Sequence, residues 1–159
     1  MVKFKPNYKF QDVTKIDPKI FKNKKLLIFD IDNTLFYPET EDIRDDIKEW
    51  FKKINQNYNC LILSNSNTIK QRASQIRKLL HCKIHFSHLK KPSKTLFKEI
   101  EAEYKVEAKD IVMIGDLIFS DILFGNRNKA TTILVQPFGN DNKFKVKIAR
   151  YIQNIIWRN

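Results

Sequence analysis

Short apolar runs recur along this chain, separated by stretches long enough to hold one or more helices. Residues 26–29 read LLIF without a polar residue, and similar runs occupy residues 60–63 and 111–114. A strand with apolar residues on both sides is buried on both faces, which is typical of a parallel sheet covered by helices. Two further strands, expected at residues 84–89 and 131–136, complete a parallel sheet of about five strands.

Helical patterns fill the intervals between these strands. Helices are predicted at residues 40–57, 68–80, 93–104, 120–124 and 142–157. Thr40 is expected to cap the first helix, since threonine is a favoured N-cap residue. The acidic residues in the turns that follow are also favourable at a helix N-terminus. The last helix places Phe144, Ile148, Ile152 and Ile155 on one side. Strands alternating with helices predict an α/β fold, a Rossmann-like three-layer α/β/α sandwich.

The length and composition fit one domain. The chain has 159 residues, of which 42% are hydrophobic, enough to form a core. We predict a single domain over residues 1–159, in which residues 1–24 form a basic, aromatic arm packed on the rest, with a short helix near residues 18–22. No apolar run approaches the roughly 20 residues of a membrane span. Two cysteines without metal-binding spacing favour a reduced, cytoplasmic protein.

Positive charge is concentrated at the two ends of the chain. The net charge is +12; residues 1–28 hold eight lysines and two aspartates, and residues 137–159 hold five basic residues and one aspartate. Basic ends around a nearly neutral body favour attraction to phosphate-bearing surfaces, either nucleic acid or anionic lipid. The alternative is the lysine bias of an AT-rich genome, which the many Lys, Asn, Ile and Phe residues also fit.

Polar residues stand at the ends of four consecutive predicted strands. They are Asp30 and Asp32 after the first strand, Ser64 and Asn65 after the second, Lys91 near the third and Asp116 after the fourth. The carboxyl ends of parallel strands share one edge of the sheet, where the ligand crevice of such folds lies. Two neighbouring carboxylates at a buried strand end are costly to desolvate, and a bound Mg²⁺ would offset that cost. Each feature alone is also explained by turns or helix caps, but the four together favour a functional site.

These residues resemble the motifs of the haloacid dehalogenase (HAD) superfamily of aspartyl phosphatases. Residues 30–34, DIDNT, match its first motif, DxDx[TV]; Ser64 matches the second, Lys91 the lysine motif, and Gly115-Asp116 through Asp121 the acidic motif, GDxxxxD. Within the superfamily the chain looks most like the small class III phosphatases of the YqeG type and is similar to phosphatidylglycerophosphate phosphatases. One departure is Phe124, which stands where that group has the first glycine of a GGNR stretch.

The resemblance implies a role for each acidic residue. Asp30 is expected to be the nucleophile that forms an aspartyl-phosphate. Asp32 is expected to protonate the leaving alcohol and then to activate water. Mg²⁺ is expected on Asp30, on the backbone carbonyl of Asp32 and on Asp116, with Thr34 and Asp121 in supporting roles.

The resemblance also implies how the phosphoryl group is held. Ser64, Asn65 and Lys91 are expected to bind its oxygens and to stabilise the charge on the transferring group. Either Lys90 or Lys91 could reach the site, and adjacency to Pro92 favours Lys91.

The intervals between the motifs are too short for the cap domain that many HAD enzymes carry. Residues 35–63 leave room for one helix, and residues 65–90 for one helix and one strand. An uncapped site is open, which favours a substrate that brings its own cover, such as a lipid surface, a protein or a nucleic acid.

Two hypotheses about function follow. The resemblance implies a Mg²⁺-dependent phosphatase acting on a phosphomonoester, with phosphatidylglycerophosphate as the specific candidate. Its basic arm would contact the anionic inner face of a membrane peripherally. The other hypothesis is a basic module that binds RNA or the ribosome and keeps a weak or vestigial phosphatase site. The basic ends support this second hypothesis, although no RNA-binding motif accompanies them.

Overall fold

One parallel sheet organises the part of the chain that the computed structural model describes, residues 4–140 and 144–158. The side chains of residues 145, 156 and 157 are outside that description. The strands are β1 (Tyr8–Phe10), β2 (Leu26–Phe29), β3 (Cys60–Ile62), β4 (Lys83–Ile84), β5 (Ile111–Gly115) and β6 (Thr131–Val135). Within the described ranges they form a six-stranded sheet in the order β1-β6-β5-β2-β3-β4, and all neighbours are parallel. The predicted parallel α/β sheet is confirmed, with one strand more than expected.

β1 is the strand that the sequence did not predict. It lies at the edge of the sheet and pairs with β6, so that Tyr8 is opposite Ile133. Its residues are exposed or half-buried, so it lacks the continuous apolar run that identified the other strands. Part of the predicted N-terminal arm therefore belongs to the sheet. The short helix expected at residues 18–22 is a 3₁₀ turn over Pro18–Phe21.

The α-helices of the described residues are α1 (Asp45–Asn57), α2 (Ile69–Leu80), α3 (Lys94–Tyr104), α4 (Leu123–Arg127) and, after the last strand, α5 (Phe144–Arg158). Ser93 opens α3 as expected, because its side chain accepts a hydrogen bond from the backbone N–H of Leu96. A π-helical turn over Ile118–Ile122 precedes α4. The start predicted for the last helix, at residues 142 and 143, lies outside the described residues.

Successive side chains of β2 face two separate cores. Leu27 and Phe29 belong to a core shared with α1 and α2, whereas Leu26 and Ile28 belong to a core beneath α3. Successive residues of a strand point to opposite faces, so helices cover both sides of the sheet. The predicted three-layer arrangement is confirmed.

The start of the first long helix was predicted wrongly. The sequence placed it at Thr40, but α1 begins at Asp45. The hydroxyl of Thr40 donates to the backbone carbonyl of Tyr37 at 2.9 Å and closes a turn instead of capping a helix. Phe36 forms an isolated antiparallel bridge with Ile43, which closes the residues between them into a loop ahead of the helix.

The third predicted strand is much shorter than expected. It was placed at residues 84–89, but β4 covers Lys83–Ile84. Its neighbour β3 ends at Ile62, whose carbonyl accepts a last hydrogen bond from the backbone N–H of His85. Beyond that point no strand of the described residues lies beside the chain, which turns at Ser87, whose hydroxyl accepts from the N–H of Leu89.

Phe124 is a core residue in this fold. It is fully buried, and its ring centroid lies 5.2 Å from that of Phe97 in a tilted edge contact. The replacement of a glycine at this position is therefore explained by packing against α3.

α5 exposes the apolar side that its sequence pattern predicts. Phe144, Ile148, Ile152 and Ile155 are all exposed, whereas Gln153 on the other side of the helix is buried. Among the described residues, no helix combines the length and apolar character that crossing a bilayer requires.

Candidate active site

The predicted polar residues gather at the carboxyl edge of the sheet because β2, β3 and β5 are parallel and in register. Phe29 lies opposite both Ile62 and Ile114, so the residues that follow these three strands emerge side by side. Asp30 continues the pairing, because its backbone N–H donates to the carbonyl of Ile114 at 2.9 Å. The strand ends therefore set the position of Asp30 relative to the loop that follows β5.

Lys91 lies at the centre of the site. Its ammonium donates to Oδ1 of Asp30 at 2.7 Å, to Oδ1 of Asp121 at 2.7 Å and to the carbonyl of Leu63 at 2.8 Å. An ammonium has three N–H donors, so these three acceptors satisfy it fully. Lys91 is buried, and the two carboxylates outweigh the desolvation that by itself would lower the pKa of the ammonium, so that pKa is raised above its usual value.

The neighbouring Lys90 points elsewhere. Its ammonium donates to the carbonyl of Asn65 at 2.9 Å and to Oδ1 of Asn67 at 2.5 Å, at the exposed surface. Of the two lysines that the sequence left open, the structure brings Lys91 into contact with Asp30.

Asp121 is held next to Asp30 by the turn after β5. It is fully buried, and its Oδ2 accepts from the backbone N–H of Leu117 at 3.0 Å. Gly115 makes this approach feasible, because a Cβ at that position would overlap the Asp121 carboxyl group. The glycine of the acidic motif thus has a packing reason in this chain.

Three carboxylates form the acidic cluster of the site: Asp30, Asp116 and Asp121. One oxygen from each lies within 4.8 Å of the other two, and all three residues are buried. Burial raises the pKa of Asp30 well above its usual value, since desolvation and the nearby Asp121 and Asp116 exceed the opposing effect of Lys91. A compact set of hard oxygen ligands with excess negative charge fits a divalent cation such as Mg²⁺.

This cluster differs from the predicted metal set in one member. The sequence assigned Asp30, Asp32 and Asp116 to the metal, with Asp32 acting through its backbone carbonyl. The side chain of Asp121, predicted as a supporting residue, joins the acidic cluster instead. The contribution of the Asp32 carbonyl stays a prediction.

Asp32 stands apart from the acidic cluster and is paired with Arg72. Nη1 of Arg72, in α2, lies 2.9 Å from Oδ1 of Asp32, and the backbone N–H of Glu39 donates to the same oxygen at 3.0 Å. Sequence reasoning missed Arg72, although its position offered a signal. It lies three residues after Ile69 and four before Ile76, on the buried stripe of α2, where an unpaired arginine would be costly.

Asp116 is bound by α5, which sequence reasoning also missed. Nη1 of Arg150 donates to its backbone carbonyl at 2.6 Å, the Arg150 guanidinium also pairs with its carboxylate, and Nε2 of Gln153 donates to the same carbonyl at 2.5 Å. Gln153 in turn accepts from the backbone N–H of Ile118 at 3.0 Å. The two partners in each of these contacts are more than thirty positions apart, and nothing local in the sequence signals the contacts.

The remaining predicted residues take different positions. The hydroxyl of Ser64 accepts from the backbone N–H of Ser66 at 3.1 Å. The Asn65 side chain binds the backbone of Lys91 twice, accepting from its N–H and donating to its carbonyl, both at 2.9 Å. Asn65 is therefore positioned to hold the lysine loop. Thr34 is buried, and its hydroxyl donates to Oδ1 of Asp116 at 3.4 Å.

A cavity of about 730 Å³ opens above these groups. Its polar end includes Asp30, Asp32 and Ser64, and Phe144 and Val146 of α5 contribute an apolar wall. The carboxylates of Asp30 and Asp32 both line this cavity, and the buried ammonium of Lys91 contacts Asp30. These are the groups needed for nucleophilic and acid–base chemistry on a phosphate ester.

Comparisons with known proteins agree with this geometry. Residues 2–137 match the family described as Mitochondrial PGP phosphatase. The chain is 28% identical over 156 residues to a Bacillus subtilis (strain 168) protein named probable phosphatase YqeG, which covers 96% of this chain and 89% of that protein. It is 26% identical over 159 residues to phosphatidylglycerophosphate phosphatase 1, chloroplastic/mitochondrial, of Arabidopsis thaliana. That match covers 93% of this chain but spans only 45% of the Arabidopsis protein.

A solved structure shares the fold. It is YfnB of Bacillus subtilis, assigned as a HAD-hydrolase and bound to magnesium, with a TM-score of 0.53 and 19% identity over 72% of this chain and 57% of that one. At this identity the similarity establishes the fold alone. The family match, which extends over most of the chain, establishes more: this chain belongs to the family described as Mitochondrial PGP phosphatase and is a phosphatase.

Proposed function

We propose that this protein hydrolyses the phosphomonoester of phosphatidylglycerophosphate in a Mg²⁺-dependent reaction that passes through an aspartyl-phosphate at Asp30. The observation that supports the mechanism most is the setting of Asp30. Its carboxylate lines the open cavity, and Lys91 fixes its Oδ1 from below at 2.7 Å. The carboxylate is therefore held in one orientation, with its other oxygen available for attack.

The first half of the reaction uses Asp30 and Asp32. An oxygen of Asp30 attacks the phosphorus, the bond from phosphorus to the ester oxygen breaks, and the leaving alcohol takes a proton from Asp32. In the second half, Asp32 removes a proton from a water molecule, which attacks the phosphorus of the aspartyl-phosphate. The bond from phosphorus to the Asp30 oxygen breaks and inorganic phosphate leaves, so that Asp30 is again a carboxylate and Asp32 is again protonated.

The surrounding groups support these two carboxylates. Lys91 keeps a positive charge beside Asp30, which favours its ionised form and stabilises charge on the transferring phosphoryl group. Ser64 lines the cavity and offers a hydroxyl to the phosphoryl oxygens. Arg72, which belongs to α2, holds Asp32 in place through their ion pair.

The oxygens of Asp30, Asp116 and Asp121 would hold Mg²⁺, together with the backbone carbonyl of Asp32 as the family resemblance implies. A bound divalent cation would neutralise phosphate charge and offset the desolvation that raises the pKa of Asp30.

The choice of lipid substrate has two supports. The Arabidopsis relative is named a phosphatidylglycerophosphate phosphatase. The cavity has the proposed catalytic carboxylates at one end and an apolar wall from α5 at the other. A phospholipid with a terminal phosphomonoester has matching chemistry, since its charged headgroup is attached to an apolar body.

Phosphate release from two substrates tests the proposal. Purified wild type and Asp30→Asn are given phosphatidylglycerophosphate in vesicles, or a soluble aryl phosphate, with Mg²⁺ or with EDTA. We expect Mg²⁺-dependent release from both substrates, and a loss of at least about a thousandfold in Asp30→Asn. Cleavage of the aryl phosphate without any release from the lipid would contradict the proposed substrate. Salt-sensitive retention of RNA without cleavage of either ester would favour the RNA-binding alternative.

A further inference from the structure

The outer face of α5 is an exposed apolar surface beside the active site. Its five members are Phe144, Ile148, Tyr151, Ile152 and Ile155, with exposed fractions of 75%, 48%, 72%, 41% and 51%. At 100° per residue these five positions fall on one side of the helix. Scattered single apolar residues are ordinary at protein surfaces, but a contiguous set on one helix face indicates a partner.

The orientation of α5 is fixed by its opposite face. Arg150 and Gln153 both bind the backbone carbonyl of Asp116, and Gln153 is buried. Turning the apolar face inward would break these contacts. The same helix thus closes one side of the catalytic site and presents its apolar face to the outside.

The charge of α5 indicates what kind of surface it fits. Besides Arg150, which binds Asp116, the helix carries Lys145, Lys147 and Arg158 and has no acidic residue. Lys147 and Arg158 are exposed. They lie by helical periodicity along one margin of the apolar face. An apolar face bordered by basic residues without acidic ones is typical of a helix that lies in the interface of an anionic membrane.

The apolar face is continuous with the catalytic cavity. Phe144 is both the most exposed member of the face and part of the cavity wall, next to Val146. A lipid whose acyl chains stay in the bilayer could therefore present its headgroup to Asp30 along a path lined by apolar side chains.

We propose that the outer face of α5 docks this phosphatase on an anionic lipid bilayer, so that the cavity mouth opens toward the membrane surface. This inference rests on the proposed lipid substrate and assigns the docking to a particular helix. The sequence had suggested the N-terminal arm for such contact. In the structure Val13, Ile16 and Phe21 of that arm are buried in the core, which leaves α5 as the larger apolar surface next to the site.

Vesicle binding without turnover tests the docking surface. Asp30→Asn, which cannot complete the reaction, is mixed with vesicles containing phosphatidylglycerol or with vesicles of phosphatidylcholine alone, and bound protein is measured by flotation. We expect binding to the anionic vesicles only. Adding Ile148→Ser and Ile155→Ser should weaken that binding at least about tenfold, because two apolar side chains that would enter the bilayer are lost.

A charge-matched pair separates apolar contact from net charge. Ile148→Glu with Ile155→Glu lowers the charge by the same amount as Gln56→Glu with Gln71→Glu, whose residues are exposed on α1 and α2. In the otherwise wild-type protein, we expect the α5 pair to abolish vesicle binding and to leave hydrolysis of a soluble aryl phosphate unchanged. The control pair should keep most of the binding.

Three outcomes would overturn the proposal. The first is the absence of binding to anionic vesicles. The second is equal loss of binding in the α5 pair and in the control pair. The third is a dimer that the α5 substitutions convert to a monomer without any effect on vesicle binding, which would assign the face to a second copy of the chain. Because these readouts do not require lipid hydrolysis, they are independent of the substrate test.

Discussion

Nη1 of Arg72 lies 2.9 Å from Oδ1 of Asp32, the carboxylate that we propose as acid and base. Arg72 is buried, and within residues 4–140 and 144–158 its guanidinium donates no well-aligned hydrogen bond, although it forms the ion pair with Asp32. Its influence on Asp32 is therefore that of a nearby charge. Arg72 does not line the cavity, so it acts as a positioning residue behind Asp32.

Arg72→Met is expected to lower kcat by about tenfold or more with a smaller change in KM, because a misplaced acid–base group slows proton transfer more than binding. Arg72→Lys should recover part of the loss, since it restores the charge. Steady-state kinetics with a soluble aryl phosphate measure both variants, and thermal unfolding checks that they fold. Equal losses in Met and Lys variants, or a change confined to KM, would contradict this role.

Asp30→Asn is expected to stabilise the fold at neutral pH while it abolishes turnover. Burial raises the pKa of Asp30, so the folded state binds this proton more tightly than the unfolded state does. The free energy of unfolding of the wild type therefore falls as the pH rises from about 4 toward the folded pKa. The amide cannot ionise, so the variant avoids this loss.

The measurement is Tm against pH for wild type and Asp30→Asn, in EDTA. The variant should have the higher Tm at pH 7, and the difference should vanish below about pH 4, where the wild-type carboxyl is protonated in both states. A lower Tm for Asp30→Asn at pH 7 would show that the pairing of Asp30 with Lys91 outweighs its desolvation.

Lys91 and Lys90 form a natural matched pair. Lys91→Met removes the buried ammonium between Asp30 and Asp121, which should cost on the order of 3 kcal/mol in the free energy of unfolding and remove activity. Lys90→Met removes an exposed ammonium and should leave both quantities nearly unchanged. Chemical denaturation and aryl phosphate hydrolysis measure the two effects. Comparable losses in the two variants would contradict the assignment of Lys91.

Gly115→Ala is expected to disable the site without changing any charged group. The added Cβ would overlap the carboxyl group of Asp121, which must then move away from Asp30 and Lys91. We expect weaker Mg²⁺ binding by calorimetry and lower activity, with Asp121→Asn giving a similar loss of Mg²⁺ binding. Unchanged Mg²⁺ affinity in Gly115→Ala would show that Asp121 is not part of the cation site.

The strand pattern predicted the fold well because buried parallel strands leave a clear sequence signal. The continuous apolar runs of β2, β3 and β5 identified them, and the shared carboxyl edge brought Asp30, Lys91 and Asp116 together. β1 was missed because an exposed edge strand has no such run. The start of α1 was misplaced because Thr40 has the composition of a helix cap but closes a turn.

The residues that hold the site in place were harder to predict than those in the motifs. Arg72 and Arg150 reach Asp32 and Asp116 from helices distant in sequence, and an arginine on a helix normally indicates a solvated face. The apolar side of α5 was visible as a pattern, but its direction depends on Arg150 and Gln153, whose contacts arise only in the folded chain.

The central claim, that Asp30 carries the phosphoryl group, is tested most directly by trapping the intermediate. Enzyme turning over a phosphate ester with Mg²⁺ is quenched in acid and treated with borohydride, which reduces an aspartyl-phosphate to homoserine, and the peptide containing residue 30 is analysed by mass spectrometry. We predict homoserine at position 30, dependent on both substrate and Mg²⁺. Its formation at a different aspartate of an enzyme that is turning over would contradict the account.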